Sequence, residues 1–153
     1  MAHYLHLTSS KTRFYTVSAN VWRREGSFDD ILLLQFLLKD TPDGLKTYPL
    51  HMDGVFGDST ELLLMRHQKD VFKLYSDFQM SQLGEVDPIF TGDAFDRRAD
   101  TMYALNKYFF LRHPEVKTEG DFLARVPPLL RTSLKAGKTN GVLYIPGGLK
   151  IAA

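Results

Sequence analysis

The sequence predicts a mainly helical, α+β fold. A three-helix core occupies about residues 28–111, and a small antiparallel β-sheet forms from strands near the two ends. Three observations carry this expectation. Residues 27–40 read SFDDILLLQFLLKD, with apolar side chains at helical spacing behind a good cap. Residues 53–68 read DGVFGDSTELLLMRHQ, a glycine-marked corner running straight into a leucine-rich helix. Residues 3–8 and 13–18 alternate loosely in Tyr, Leu, Phe, Thr and Val, and 141–146 read GVLYIP, a candidate strand to pair with them.

The elements follow in chain order. The flanking strands lie within 1–20 and at 141–146, the first as a hairpin around the polar TSSK. SANVWRREGS reads as a connector, with Trp22 as a plug over the core in preference to a ligand platform. In the first helix Ser27 is the expected N-cap and Asp29 and Asp30 suit the positive end of the helix dipole. Ile31, Leu34, Leu37 and Leu38 form its apolar side, with Gln35 beside that stripe, and Pro42 and Gly44 end it. At the corner, Asp53-Gly54 marks a turn, Gly57 offers a second permissive position, and Val55 and Phe56 are expected to point inward. Asp58, Ser59 and Thr60 are candidate caps for a helix reaching about Tyr75. A looser repeat follows, with turns at Gly84 and Gly92-Asp93 and the apolar pair Val86 and Ile89. The third helix runs from about Arg97 to Leu111 and stops at Pro114. A short helix is expected near Asp121–Val126, then a weakly helical stretch from Leu129.

Composition narrows the function classes. The 153 residues suit a single domain, 1–153, and 44% apolar content with 11 Phe and 7 Tyr gives ample core. A net charge of +1 from 19 basic and 18 acidic side chains argues against a dedicated nucleic-acid binder. There is no cysteine, which removes thiol catalysis, disulfides and cysteine-bearing zinc sites. No stretch approaches ~18 consecutive apolar residues, so no membrane span is expected. The N-terminal residues carry no basic leader before an apolar run, so synthesis in the cytoplasm is expected, with export by another route still open. The five histidines, His3, His6, His51, His67 and His113, show no metal-ligand spacing. No paired-carboxylate, Gly-x-Ser-x-Gly or P-loop pattern is present. The expectation is therefore no catalytic residue, no metal and no cofactor. Arg125, Arg131, Lys135, Lys138 and Lys150 give the last thirty or so residues a basic bias.

The helical core resembles the peptidoglycan-binding domain found in many cell-wall hydrolases. Ile31, Leu34, Gln35 and Leu38 match that family's first helix. Asp53, Gly54, Phe56, Gly57 and Thr60 match its Asp-Gly-x-Phe-Gly-x-x-Thr loop in full. Gln68 matches the end of the next helix, although His67 stands where Phe is usual, and Thr101, Leu105 and Asn106 match the third helix. The second loop departs most: GEVDP lacks the Asp-Gly start and the trailing glycine, and further residues intervene before the helix.

The resemblance implies a binding module without covalent chemistry, with a peptidoglycan fragment as ligand. The candidate ligand-binding residues are Gln35, Asp53, Phe56, Thr60, His67, Gln68, Tyr103 and Asn106. Each also has a structural reading. Asp53, Gly54, Gly57 and Thr60 are explained by turn geometry and capping, and a helix-borne amide such as Gln35 or Gln68 either ties down a loop or faces a groove. His67 reads as a partly buried side chain with a hydrogen-bond partner. Tyr103, Tyr108 and Phe110 either line a sugar- or peptide-binding groove or seal the core. The alternative function is a structural or adaptor protein that keeps the fold and binds a protein partner or itself. A small hydrolase with a dispersed site ranks last.

Overall fold

The computed structural model describes residues 3–7, 13–46, 51–74, 78, 80–87, 100–136 and 138–141. The described chain is mainly helical. Its elements are β1 (His3–Leu7), β2 (Arg13–Thr16), α1 (Phe28–Leu38), α2 (Pro42–Lys46), α3 (Asp58–Leu74), α4 (Asp100–Arg112), α5 (Glu119–Leu123), α6 (Pro128–Ala136) and β3 (Lys138–Gly141). No helix among the described residues is long and apolar enough to cross a membrane.

Helix α1 begins as its sequence requires: the Ser27 side chain accepts from the Asp30 N–H, and Asp29 and Asp30 occupy the first turn. The apolar side expected of it is too narrow. Leu32, Leu33 and Phe36 are buried along with Ile31, Leu34, Leu37 and Leu38, so α1 is the central rod of the core. Pro42 does end α1 but also starts α2, because a helix tolerates proline in its first turn, where the missing N–H is not needed. Thr41 manages the join: its Oγ1 donates to Leu38 O at 2.7 Å and accepts from Gly44 N at 3.1 Å.

The strands form a three-stranded sheet in the order β2-β1-β3. β1 and β2 run antiparallel, with Tyr4 opposite Tyr15, whereas β3 pairs with β1 in parallel. The sheet is thus mixed and not the wholly antiparallel one expected. The chain crosses the helical layer between β1 and β3, so β3 can arrive in either direction. The expected strand at 141–146 lies outside the described residues but for Gly141, as do the turn at Gly92-Asp93, Ile89 and the first residues expected of the third helix.

One cluster of buried side chains runs from Tyr15 to Leu134. Its aromatic centre is Phe122 on α5. The Tyr15 ring stacks on it with centroids 3.5 Å apart, and Phe36 and Phe109 meet it edge-on at 5.6 and 5.1 Å. The core therefore extends past residue 111, and the short helix α5 supplies its hub. A full capping box between Thr118 and Asp121 fixes where α5 begins.

The connector before α1 is also part of the core. Val21 is fully buried and bridges Val86 in both directions, with N–H···O distances of 3.0 and 2.9 Å. Val21 is thus the plug expected at Trp22, which is only half-buried. Ser18 donates to Asp30 through both its N–H (3.0 Å) and its Oγ (2.7 Å), which pins the connector to the head of α1.

The first corner is less symmetric than its two glycines suggest. Gly54 has φ +73°, and a Cβ there would lie 2.3 Å from the Phe28 ring. Gly57 is not among the positive-φ glycines, and a Cβ there meets nothing within 4 Å. Phe56 is buried as expected, but Val55 is 64% exposed: Gly57 N donates to Val55 O at 3.0 Å, so the chain turns tightly at Phe56 and the two side chains part. We expect Gly54→Ala to destabilise the fold by about 3 kcal/mol, combining left-handed backbone strain with overpacking. Gly57→Ala is expected to change stability by less than about 0.5 kcal/mol. Urea denaturation midpoints of the two variants check both.

Candidate functional site

The candidate residues belong mostly to a set of buried amide clasps. Gln35, midway along α1, is fully buried. Its Oε1 accepts from the N–H groups of Asp53 (3.1 Å) and Gly54 (2.9 Å). Its Nε2 donates to Val55 O (3.0 Å), Asp53 Oδ1 (3.1 Å) and Thr60 Oγ1 (3.1 Å). An amide has only two N–H groups, so one of them is shared. Gln35 thus holds both sides of the corner and the first turn of α3. Asp53 is exposed, yet its carboxylate is engaged: it accepts from Val55 N at 3.0 Å. That backbone bond, then the Gln35 amide, hold the Asp53 carboxyl below its ordinary range.

Gln68, near the end of α3, repeats the arrangement around the second loop. Its Oε1 accepts from Gly84 N (2.8 Å), and its Nε2 donates to Glu85 O (2.8 Å) and Thr101 Oγ1 (3.1 Å). Gly84, with φ +85°, takes the place of Gly54. Buried Val86 takes that of Phe56, and Thr101 in the first turn of α4 takes that of Thr60. Asn106 applies the same chemistry to the sheet. Its Oδ1 accepts from Tyr15 N and its Nδ2 donates to Tyr15 O, both at 2.8 Å, so the side chain acts as a short neighbouring strand for β2. A further bond from Nδ2 to Met102 O at 2.8 Å fills its second N–H.

These placements favour the structural reading for most of the set. Gln35, Thr60, Gln68 and Asn106 are spent on backbone and hydroxyl partners inside the fold. Phe56 and Tyr103 are buried, as is Tyr108, and Phe110 packs against the core, so these rings seal the interior. His67 is fully buried, not partly, and meets the Tyr108 ring edge-on at 5.8 Å. Burial pushes its pKa down to about 4, against a backbone hydrogen bond at Thr101 that raises it. Its Nε2 has no hydrogen-bond partner among the described residues. Of the named candidates only Asp53 reaches solvent.

Two concavities flank the Asp53–Gly57 corner instead. One, of about 160 Å³, is lined by Gln35, His51, Asp53, Val55 and the first turn of α3 from Asp58 to Thr60. The other, of about 300 Å³, lies between Trp22–Gly26 and Gly54–Phe56, with Ile31 beneath. Residues 22–25 fold back on themselves: Trp22 N donates to Glu25 O (2.8 Å), Glu25 N donates to Trp22 O (3.0 Å), and Trp22 Nε1 donates to Glu25 Oε2 (3.1 Å). Arg23 pairs with Asp58 and lies 3.8 Å from Glu61, so it locks this turn to the head of α3. The arginines are not candidates from the sequence, and for Trp22 the sequence favours a plug over a ligand platform. The signal for them was present as the single tryptophan beside two arginines in a glycine-ended turn.

Among the described residues no group of three or more His, Asp or Glu side chains is placed to hold a metal ion. A partly buried carboxylate–imidazole pair does occur, with Asp40 Oδ1 and His113 Nε2 2.9 Å apart. The other ring nitrogen is met by Arg125 at 3.2 Å, and Arg125 also pairs with Glu115 at 2.7 Å. Glu115 Oε1 lies 3.5 Å from the same nitrogen, Nδ1. The group ties the end of α1 to the α4–α5 loop and to the end of α5.

Comparison with known proteins found no match to this chain among family models, curated proteins or solved structures.

Proposed function

We propose that this chain is a non-enzymatic binding module on a peptidoglycan-binding-like helical core, and that its ligand is a cell-wall peptidoglycan fragment. The observation that carries the reading is the second amide clasp. The Asp53–Thr60 motif supports the resemblance at one corner, while the sequence of the second loop departs from it. The Gln68–Gly84–Thr101 bonds supply at that loop the same tie that Gln35 makes at the first. The ligand would rest in the concavities beside the first corner, held by contacts from Trp22, Arg24 and Val55 and without covalent chemistry. A phage tail or a secretion apparatus would bring the module to the wall.

The test is retention on purified insoluble peptidoglycan. The wild type is expected to sediment with the wall, and Trp22→Ala to lose most of that retention while melting at an unchanged temperature. Tyr103→Ala is unsuitable as a probe, because it empties the core. Absence of wild-type retention would favour the second reading, a structural or adaptor protein. That reading has its own support in the outward apolar residues of α3, where Leu62 and Phe72 are 42% and 52% exposed.

A further inference from the structure

We infer that the outward face of α3 is a contact surface for a second copy of this chain, the two helices lying antiparallel about a twofold axis. The inference stands apart from the wall-binding reading. On this face Leu62 and Phe72 are 42% and 52% exposed, Lys69 and Lys73 are exposed, and Met65 is half-buried. Leu62, Met65, Lys69 and Phe72 follow one another at steps of three, four and three residues, the spacing of a helix-pairing seam.

The face is its own complement. In an antiparallel pair about a twofold axis, residues equidistant from one midpoint meet across the contact. Leu62 and Phe72, Met65 and Lys69, and Glu61 and Lys73 share a midpoint at position 67. One axis therefore sets Leu62 of one copy against Phe72 of the other, lays the Lys69 stem over Met65 and brings Glu61 to Lys73, each twice. The axis also has to fall on the solvent side. At about 100° per residue, the three pairs all lie within about 60° of the helix side opposite residue 67, and His67 is fully buried. Charge selects this occupant. The head of α3 carries Asp58 and Glu61 against Arg23, a net negative charge. Its tail carries Arg66, Lys69 and Lys73 against Asp70 and the Asp43 carboxyl that meets it from α2, a net positive charge. An antiparallel copy brings head onto tail at both ends. An acidic protein or an anionic lipid surface would match the tail and be repelled at the head.

A face about 25 Å long is small for an interface, so the dimer is weak, with a Kd of about 100 µM. Sedimentation velocity of the full chain from about 1 µM to about 1 mM is expected to show a monomer passing to a dimer. Phe72→Glu should weaken the dimer about tenfold or more. Glu61→Lys and Lys73→Glu should each weaken it about fivefold, because like charges then meet at both ends. An equimolar mixture of these charge variants should recover the wild-type mass, since every lysine then faces a glutamate. Loss of the Arg23 contact inside one copy would not be mended that way. Thermal melts confirm that the variants fold. A chain that stays monomeric to about 1 mM overturns the inference, and if it then floats with phosphatidylglycerol vesicles through Phe72, the face belongs to a lipid surface. A dimer that ignores Phe72→Glu, or charge variants that mixing does not recover, also overturns it.

Discussion

Replacing Gln68 with alanine is expected to cost about 3 kcal/mol of folding stability, one of the largest losses of any single polar substitution here. The change strands Gly84 N–H, Glu85 C=O and Thr101 Oγ1 in a buried setting, and each unsatisfied buried group costs about 1–3 kcal/mol. Partial rescue by water keeps the total near the lower end of the sum. Gln68→Glu separates hydrogen bonding from packing. It fills the same volume but brings a buried charge and offers an acceptor where Glu85 O needs a donor, while the Thr101 hydroxyl can turn to donate to it. It is expected to be at least as damaging as alanine, and denaturant unfolding of the two variants checks this. If packing were the source of stability, glutamate would be the milder change. Gln35 should behave likewise, since its amide makes the same kinds of contact at the first corner.

The second large effect is acid sensitivity centred on His67. In the folded protein burial holds this imidazole neutral, with a pKa of about 4, against an ordinary value of 6.5. The sign follows from linkage. Below pH 6.5 the unfolded chain takes up a proton that the folded chain refuses, so stability falls as pH drops from 6.5 and the effect levels off below about 4. At about 1.4 kcal/mol per unit, the loss over that window is about 3 kcal/mol. His67→Phe removes the titrating group and keeps a ring against Tyr108. At neutral pH the variant should lie within about 1 kcal/mol of the wild type. The stability gap between the two should then widen in the variant's favour by about 3 kcal/mol between pH 7 and pH 4. Parallel stability–pH curves would show that His67 titrates normally and is not sealed in the core.

Much of the helical layout was legible because it is local. Ser27 and the acids after it mark the head of α1 through capping, and the Asp53-Gly54 turn followed by Thr60 marks the head of α3. The identity of the clasp residues was legible too, since Gln35 stood out beside an apolar stripe and Gln68 and Asn106 matched the helices of the family resemblance. Their role was not, because a helix pattern does not say what packs against a given side. With α1 buried all round, Gln35 had to be satisfied internally, and that burial depends on α4 and α6 as well as α3. The same limit hid the second clasp. Gly84 and Thr101 lie 17 positions apart, whereas Gly54 and Thr60 lie six apart, so the likeness exists in space and not in spacing. Val55 was misplaced because the turn was read as a pair of inward residues, when the tight Val55–Gly57 turn sends the two side chains to different sides. The parallel approach of β3 and the bridge from Val21 to Val86 are long-range pairings with no local signature.

Hydrogen exchange at two backbone amides tests the clasp account most directly. Gly54 and Gly84 sit in loops, where an amide ordinarily exchanges freely. Here each donates to a buried glutamine oxygen, at 2.9 and 2.8 Å. Both amides are expected to be protected nearly as strongly as those at the centre of α1, with Gly84 losing that protection in Gln68→Ala. Exchange of both at the rate of an open loop in the wild type would contradict the claim that side-chain amides hold these corners.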